Sequence, residues 1–311
     1  MTWFAGVDGG QSGSDLILAN DAGTKSVRVR GPACDLVGEA PGSRRRADAI
    51  DALLEAAWRE AGLVGLPRLR ALVAGLSGYD GYEVEAAPPQ SAIELLRFVH
   101  DSEIAHAGAL GGEPGIVVIA GTGSVALATD AAGRSLRVGG WGYMFGDEGG
   151  AFRLARDAIA RAMRARDRGN FATRADHALV KLVREHFGVR SLREIQHGFA
   201  SGALSRGAIA EFAMTLVRTD RAECEAAGEL VDDAAGRLAQ LVTVADARLA
   251  PERPRRVSYA GGLFAEPAIR ERFALALAGE AYDVRAPQRS PVEGALLLAY
   301  RETAARSRVR G

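Results

Sequence analysis

A strand, a tight turn and a second strand follow one another in Ile116-Val-Val-Ile-Ala-Gly-Thr-Gly-Ser-Val-Ala-Leu-Ala-Thr-Asp-Ala-Ala-Gly133. The apolar runs on both sides of the Gly/Thr/Ser turn predict a hairpin, which a second turn closes. The N-terminal end of the chain has the same order, with predicted strands at 3–7 and 16–19 and the closing turn Leu18-Ala-Asn-Asp-Ala-Gly23. This repeat predicts two related lobes and not one continuous sheet.

The remaining chain alternates between strand and helix patterns. Further strands are predicted at 26–30, 72–76, 95–99 and 257–260. Helical periodicity predicts helices at 48–61, 151–166, 172–187, 221–249 and 291–298, and the capping box Ser191-Leu-Arg-Glu194 begins one more. With 311 residues and 48% hydrophobic content, the chain is long enough for two domains of common size. We therefore expect an α/β protein.

The composition excludes several classes of protein. Lys plus Arg and Asp plus Glu both number 39, and this balance argues against general binding of nucleic acid. Cys34 and Cys224 lie far apart, which excludes a disulfide framework and a cysteine-rich zinc site. No apolar run approaches the roughly 18 residues of a membrane-spanning helix, and the first residues are unlike a signal peptide. We therefore expect a cytoplasmic protein with no membrane partner.

Lysine is rare in this chain, with Lys25 and Lys181 as its only representatives. A Walker A loop needs Gly-Lys-Ser/Thr against the nucleotide, and a protein kinase needs a strand lysine on the phosphates. Lys25 follows a turn without the upstream glycine spacing, and Lys181 lies in an amphipathic helical pattern. A nucleotide bound by this protein would therefore be held without a Walker A loop and without the strand lysine of a protein kinase.

Glycine-rich turns are the candidate elements for such binding. Because glycine reaches positive φ and carries no side chain, these turns let several backbone N–H groups converge on an anion, phosphate above all. The candidates lie at 8–12, at 121–124 and at Gly261-Gly262. Two such turns on facing lobes could hold a polyphosphate without lysine. The alternative is that they are ordinary hairpin turns, which Gly and Ser also favour.

Two aspartates come directly after predicted strands. Asp8 ends the first strand, where its carboxylate could hold a hydrated Mg2+ through water, or it is an Asx-turn residue. Asp101 is placed to accept the proton of an attacking hydroxyl, or it is an N-cap that accepts from the backbone of Glu103 or Ile104. The local sequence leaves both pairs of interpretations open.

The loop Gly139-Gly-Trp-Gly-Tyr-Met-Phe-Gly-Asp-Glu-Gly-Gly150 combines adjacent acids with an aromatic residue. Carboxylates that accept sugar hydroxyl protons and an aromatic ring that covers the apolar face of the sugar would form a sugar site, with Asp147 and Trp141 as candidates. The alternative is a solvated turn in which Trp141 is buried as packing. The five histidines, His100 among them, receive no functional role from the sequence.

Ordered motifs along the chain resemble those of the actin-like ATPase superfamily, which includes sugar kinases and actin. Within it they look like the N-acetylglucosamine kinase branch of the BadF/BadG/BcrA/BcrD ATPase family. In chain order, the motifs are Gly6-Val-Asp-Gly-Gly-Gln-Ser12, Gly75-Leu-Ser-Gly78, Asp101 before a small-residue helix, Ala120-Gly-Thr-Gly-Ser124, the loop 139–149, Ala260-Gly-Gly-Leu263 and Pro291-Val-Glu-Gly-Ala295. The loop 139–149 is the most specific of them, and the set spans nearly the whole chain.

The resemblance implies a fold of two actin-like (ribonuclease H-like) lobes with a nucleotide and sugar cleft between them. Residues 1–112 with about 291–311 would form the N-terminal lobe, and residues 113–290 the C-terminal lobe. ATP and Mg2+ are the expected cofactors. The residues expected to bind ATP are Asp8, Gly9, Gly10, Gln11, Ser12, Gly121, Thr122, Gly123, Ser124, Gly261 and Gly262. Asp101 would be the catalytic base, and the residues expected to contact the amino sugar are Asp35, Ser77, Asp101, Thr122, Trp141, Gly142 and Asp147.

One loop departs from the family's pattern. Family members often carry an Asn after the third strand, where it can contact the sugar, but Gly31-Pro-Ala-Cys-Asp-Leu36 contains none. Asp35 could instead favour the ammonium of free glucosamine over an acetamido group. The expected reaction is the phosphorylation of N-acetylglucosamine to its 6-phosphate, with glucosamine or N-acetylmuramate as alternative substrates. A homodimer is left open.

Two functions of other classes compete with this expectation. The electron-transfer branch of the same family activates radical dehydratases and needs a cysteine-ligated iron–sulfur cluster shared across a dimer, but neither Cys34 nor Cys224 lies in a segment that looks like a cluster loop. A sugar-responsive regulator of this superfamily commonly carries an added DNA-binding segment. We expect none here, because the first strand begins almost at Met1.

Overall fold

The computed structural model describes residues 1–10, 13–34, 42–79, 81, 89–169, 173–249, 255–279 and 282–309. The chain divides into two compact units, Met1–Glu113 with Ala286–Gly311, and Pro114–Arg285. Below, these are called the first unit and the second unit. None of the helices within the described residues is both long and apolar enough to span a membrane.

The first unit is built on a five-stranded sheet. Its strands are β1 (Trp3–Gly9), β2 (Ser14–Asn20), β3 (Ser26–Gly31), β5 (Ala71–Leu76) and β7 (Leu96–His100), and the short strands β4 (Arg68–Leu69) and β6 (Ala92–Ile93) pair separately. The order in the sheet is β3-β2-β1-β5-β7. β1, β2 and β3 are antiparallel neighbours, whereas β1, β5 and β7 run parallel.

Helices cover both faces of this sheet. They are α1 (Arg45–Glu60), α2 (Asp101–Ala109) and α10 (Pro291–Val309). Buried side chains of α1, including Ile50 and Leu53, pack on one face. On the other face α10 lies directly on β1, since a Cβ on Gly6 would meet the backbone of Leu296. α10 also contacts β5 and α2, so it packs beside the strands whose ends are described below.

The second unit contains a sheet of the same order, β10-β9-β8-β11-β12. Its strands are β8 (Gly115–Ala120), β9 (Ser124–Thr129), β10 (Ser135–Gly139), β11 (Arg255–Ala260) and β12 (Tyr282–Val284). β8, β9 and β10 are antiparallel neighbours, and β8, β11 and β12 run parallel. The repeated order confirms the predicted α/β fold with two related actin-like sheets.

Most of the helices belong to the second unit. They are α3 (Gly142–Phe145), α4 (Ala151–Arg168), α5 (Arg174–Phe187), α6 (Leu192–Ala200), α7 (Arg206–Arg218), α8 (Glu225–Leu249) and α9 (Pro267–Ala276). The capping box predicted for α6 is present, with the Ser191 N–H donating to Glu194 Oε1 over 2.7 Å. Fully buried residues such as Phe212 and Leu238 pack this helical layer against the sheet.

The structure adds elements that the sequence patterns did not predict, among them β10, β12, α7 and α9. β10 and β12 are short edge strands without a clear apolar run, so their pairing with neighbours determines them. The last helix runs to Val309 and not to residue 298, and the long helix α8 begins at Glu225 and not at residue 221.

Candidate active site

Three polar side chains meet at one edge of the first sheet. Asp8 lies in β1, Ser77 follows β5 and Asp101 follows β7, and these three strands are parallel. The register pairs Asp8 with Gly75 and Leu76 with His100, so the three strands end side by side. In open α/β sheets, ligands bind beyond the carboxyl ends of the parallel strands.

Both oxygens of the Asp101 carboxylate have partners. Ser77 Oγ donates to Oδ2 over 2.7 Å, and His100 Nδ1 lies 2.8 Å from Oδ1. Burial favours the protonated acid, but hydrogen bonds from His100, Ser77 and the Ser102 backbone outweigh it and hold the pKa of Asp101 below its ordinary value. Asp101 is therefore an ionised carboxylate at neutral pH.

The alternative interpretation of Asp101 as an N-cap is wrong. His100 occupies the N-cap position of α2, with its Nδ1 3.1 Å from the Ser102 backbone nitrogen, and Asp101 is the first helical residue. A carboxylate in the first turn of a helix is stabilised by the positive end of the helix dipole. This contributes to keeping Asp101 charged.

Asp8 differs from Asp101 in its electrostatics. Burial, followed by the negative charges of Asp101 and Asp15, raises the pKa of Asp8 from its usual 3.8 to about 6. The positive charge of Arg28 offsets these effects only in part, so the ionised form is not fully compensated. Such a carboxylate suits a cation as its partner, because a cation would remove the cause of the raised pKa.

The first glycine-rich turn is described only in part. The Gly10 N–H donates to the Gly13 carbonyl and the Gly10 carbonyl accepts from the Cys34 N–H, so this peptide segment closes the hairpin. A Cβ on Gly9 would meet the Cys34 carbonyl oxygen, which requires glycine at that position. Gln11 and Ser12, two expected ATP-binding residues, lie outside the described residues, as does Asp35 of the departing loop.

The second glycine-rich turn is fixed by the N-terminus of α4. The N–H groups of Ala151 and Phe152 donate to the carbonyls of Gly121 and Thr122, over 2.9 and 3.0 Å. In a trans peptide the C=O and N–H point in opposite directions, so the N–H groups of Thr122 and Gly123 face away from α4. Both residues are at least partly exposed, and neither N–H has a recorded acceptor among the described residues. This is the geometry of an anion-binding turn.

Asp147 supports this turn from the glycine-rich loop. Its carboxylate accepts from the Ser124 N–H over 3.4 Å, and a Cβ on Gly123 would lie 2.5 Å from Asp147 Oδ2. Asp147 is buried and adopts φ 59°, a left-handed conformation that aspartate tolerates better than most residues. Burial raises the pKa of its carboxyl, against the hydrogen bond from Ser124 and the charge of Arg206. The interpretation of this loop as a solvated turn is therefore wrong for Asp147.

Trp141 is 77% exposed, so its interpretation as buried packing is also wrong. It directly precedes Gly142, whose backbone N–H bonds to Asp147.

The third glycine turn, Gly261-Gly262, lies beside the second turn within the same sheet. β11 pairs parallel with β8, and a Cβ on Gly261 would meet the backbone of Ala120. The second unit thus brings together its expected site residues Thr122, Trp141 and Asp147 with the glycine turns.

Sequence reasoning missed two residues near these groups. His100 contacts Asp101, and its position at the end of a strand next to an aspartate was the available signal. Arg206 acts on the charge of Asp147 and lies over the Tyr143 ring, 5.3 Å from its centroid. Arg206 begins α7, a helix that no sequence pattern predicted, so no local signal could have identified it.

The sequence model of the BadF/BadG/BcrA/BcrD ATPase family matches residues 5–299 of this chain. An N-acetylmuramic acid/N-acetylglucosamine kinase from Clostridium acetobutylicum is 44% identical over 70 residues, which are 22% of this chain and 23% of that protein. An N-acetyl-D-glucosamine kinase from Dictyostelium discoideum is 31% identical over 100 residues, covering 30% of this chain and 31% of that protein. The matched stretches therefore span less than a third of these curated relatives.

A solved structure matches over much more of the chain. The crystal structure of a candidate N-acetylglucosamine kinase from Chromobacterium violaceum superposes with a TM-score of 0.75 at 27% sequence identity. The match covers 96% of this chain and 99% of that chain. The fold is therefore shared along nearly the whole length, including both sheets.

Proposed function

Because the chain belongs to the BadF/BadG/BcrA/BcrD ATPase family, whose members use ATP, we propose that it is an ATP-dependent kinase of an amino sugar. The proposed substrate is N-acetylglucosamine and the proposed product is its 6-phosphate. The observation that carries this proposal is the carboxylate of Asp101, which is ionised and held at both oxygens at the edge where three parallel strands end. The names of the similar proteins agree with this substrate class.

Asp101 is the proposed catalytic base. As the sugar oxygen forms its bond to the γ-phosphorus, the hydroxyl proton moves to the Asp101 carboxylate, and the bond from the γ-phosphorus to the ADP oxygen breaks. Phosphoryl transfer leaves little covalent work to the protein, so the position of this base and the neutralisation of charge dominate. The low pKa of Asp101 keeps it available as a proton acceptor throughout the neutral range.

Backbone N–H groups are proposed to bind the ATP phosphates. The outward-facing N–H groups of Thr122 and Gly123 support this role. Gly9, Gly10, Gln11 and Ser12 are proposed for the first turn, and Gly121, Ser124, Gly261 and Gly262 complete the proposed ATP-binding set. Since the chain lacks the lysine of a Walker A loop, main-chain dipoles would supply the positive field.

Asp8 fits the expected Mg2+. It is a hard oxygen ligand whose negative charge Arg28 compensates only in part, as its raised pKa indicates. Among the described residues no group of three or more His, Cys, Asp or Glu side chains could form a metal cage, which agrees with an ion held through water and substrate phosphates. When bound, Mg2+ neutralises phosphate charge as the phosphoryl group is transferred.

The residues proposed to contact the sugar are those that the family resemblance implies. Ser77 and Asp101 are proposed for the acceptor hydroxyl, and Thr122, Trp141, Gly142 and Asp147 for the rest of the ring. The Trp141 ring can cover an apolar sugar face, since most of its side chain is exposed. Asp35 is proposed to tune the choice between an acetamido group and an ammonium.

The rival function as an activator of a radical dehydratase is not favoured. Cys34 and Cys224 are both buried, at 1% and 3% exposure, whereas a cluster shared across a dimer needs accessible thiolates.

A coupled assay of ADP release across four sugars tests the proposal. N-acetylglucosamine, glucosamine, N-acetylmuramate and glucose should give different values of kcat/KM, with N-acetylglucosamine the highest. The 6-deoxy analogue of the best sugar should not be phosphorylated, because it lacks the proposed acceptor hydroxyl. If ATP is hydrolysed at one rate whatever sugar is present, the kinase proposal is wrong. An unchanged preference in Asp35→Asn would remove the role of Asp35 alone.

A further inference from the structure

His100 lies where β7 ends and α2 begins, and its ring nitrogen Nδ1 has three neighbours. Asp101 Oδ1 and Ser102 Oγ each lie 2.8 Å from Nδ1, and the Ser102 backbone nitrogen lies 3.1 Å from it. One ring nitrogen carries either a proton or a lone pair. These contacts therefore cannot all be hydrogen bonds in the same protonation state of the ring.

The contact with Asp101 decides between the two states. Both oxygens of an ionised carboxylate are acceptors only, so a separation of 2.8 Å from Nδ1 needs a proton on that nitrogen. The Ser102 N–H then loses Nδ1 as its acceptor, but it also bonds to the Asp101 carboxylate. With the proton on Nε2 instead, the Nδ1 lone pair would face a negatively charged oxygen. An ionised Asp101 therefore selects the Nδ1–H form of His100.

We propose that His100 is a positioning residue for Asp101, with its Nδ1–H fixing Oδ1 while the Ser77 hydroxyl fixes Oδ2. This inference rests on the proposed kinase function and on Asp101 as its base. The two bonds hold the carboxylate in one orientation and leave its remaining lone pairs for the hydroxyl that gives up its proton. A base held in this way needs no reorientation before proton transfer.

Other charged side chains around α2 form ion pairs or hydrogen bonds with partners other than Asp101. Arg97 of β7 pairs with Glu103 and with Glu302 of α10, and Glu293 of α10 accepts from Ser290. Asp8 lies in β1, which β5 separates from β7, and its negative charge repels that of Asp101. His100 is thus the favourable ionisable neighbour of the proposed base among these groups.

A purely structural role of His100 as the N-cap of α2 can be separated from the positioning role. Serine caps other helices of this chain, as Ser205 Oγ does by accepting from the Ala208 N–H. His100→Ser therefore keeps a cap for α2 and removes the imidazole. We expect kcat to fall about 10-fold or more, in the lower part of the range for loss of correct positioning. The KM values for sugar and ATP and the melting temperature should stay close to those of the wild type. A wild-type kcat in His100→Ser would overturn the inference.

The ring tautomer gives a second readout that needs no turnover. Long-range 15N NMR at pH 8, with the signals assigned by comparison with His100→Ser, should show the His100 proton on Nδ1 in the wild type. In Asp101→Ala the proton should move to Nε2, because the acceptor for Nδ1–H is gone. If the His100 proton stays on the same ring nitrogen in Asp101→Ala as in the wild type, the inference is wrong, even if the wild type is an active kinase. A tautomer that responds, in a protein that phosphorylates no sugar, would uphold the His100–Asp101 bond and refute the proposed function with the catalytic part of the inference.

Discussion

The two sheets share one strand order but place their acidic side chains differently. In the first unit, Asp8 and Asp101 lie at the ends of parallel strands, and their pKa values move in opposite directions. In the second unit, β8 and β11 end in Ala120 and Ala260, and the nearby acid Asp147 comes from a loop to bond the backbone of a turn. A repeated scaffold thus carries carboxylates at the strand ends in one copy and, in the other, a turn whose Thr122 and Gly123 N–H groups face away from α4. Carboxylates whose environments separate their pKa values are typical of sites with divided acid and base roles.

The strongest test of this comparison is Asp101→Asn. The amide cannot accept the hydroxyl proton, so we expect kcat to fall roughly 10³-fold, within the usual range for loss of a general base, with little change in KM for the sugar. Coupled measurement of ADP release checks both values. Asp147→Asn is the matched variant in the second unit, and equal losses of kcat in the two variants would contradict the division of roles.

Asp8→Asn should raise stability while it lowers activity. Below pH 3.8 the carboxyl is protonated in both the folded and the unfolded chain and costs nothing. Between 3.8 and about 6 the unfolded chain ionises first, so the free energy of unfolding of the wild type falls as pH rises. Above pH 6 the ionised Asp8 lowers the free energy of unfolding by a constant amount, up to about 3 kcal/mol for a pKa shift of this size.

Thermal unfolding of the wild type and Asp8→Asn between pH 3.5 and 7.5, without nucleotide or metal, measures this effect. The variant should unfold at a higher temperature than the wild type near pH 7, and the two curves should converge on the acid side. A difference in melting temperature that does not change with pH would show that burial of Asp8 is not its cause.

Gly123→Ala tests the support that Asp147 gives to the second turn. The new Cβ would lie 2.5 Å from Asp147 Oδ2, so the carboxylate must move, at a cost of about 1–3 kcal/mol. Gly121→Ala is the matched control, because a Cβ there meets nothing within 4 Å. We expect a melting temperature several degrees lower for Gly123→Ala and nearly unchanged for Gly121→Ala. Equal shifts in the two variants would show that the turn does not depend on this contact.

Asp147→Asn should have the smallest effect of the four. Asparagine tolerates the left-handed conformation at this position, and its carbonyl can still accept from the Ser124 N–H. We expect a change in stability of less than about 1 kcal/mol and a change in KM for ATP of less than about 5-fold. A large loss of sugar affinity with an intact melting temperature would instead indicate that the proposed sugar contact of Asp147 needs its negative charge.

Much of the first unit's site follows from local sequence, because its polar residues sit at the ends of apolar runs. Asp8 and Asp101 were identifiable in this way, since parallel strands bring their carboxyl ends to one edge. The alternatives at Asp101 could not be separated from sequence, because an N-cap and a base occupy the same position in a strand–helix junction. The structure places His100 at the N-cap of α2 and so excludes Asp101 from that position, while the role of Asp101 as a base stays a proposal.

The second unit's site depends on packing between distant segments. The outward direction of the Thr122 and Gly123 N–H groups follows from the contact of this turn with α4, about 30 residues further along the chain. Arg206 acts on Asp147 from α7, a helix without a predictive pattern. The distance along the chain between these residues does not predict such contacts, because the packing of the intervening helices determines which residues meet.

The sequence by itself determined the repeated hairpins, the α/β class, the family and the positions of the strand-end carboxylates, because apolar periodicity and glycine turns are local properties of the chain. Tertiary structure alone decided which carboxylate has a raised pKa and which a lowered one, which backbone N–H groups face outward, and which side chains contact Asp101. The physical reason is that desolvation and hydrogen bonding act over a few ångströms in space between residues that are far apart in sequence.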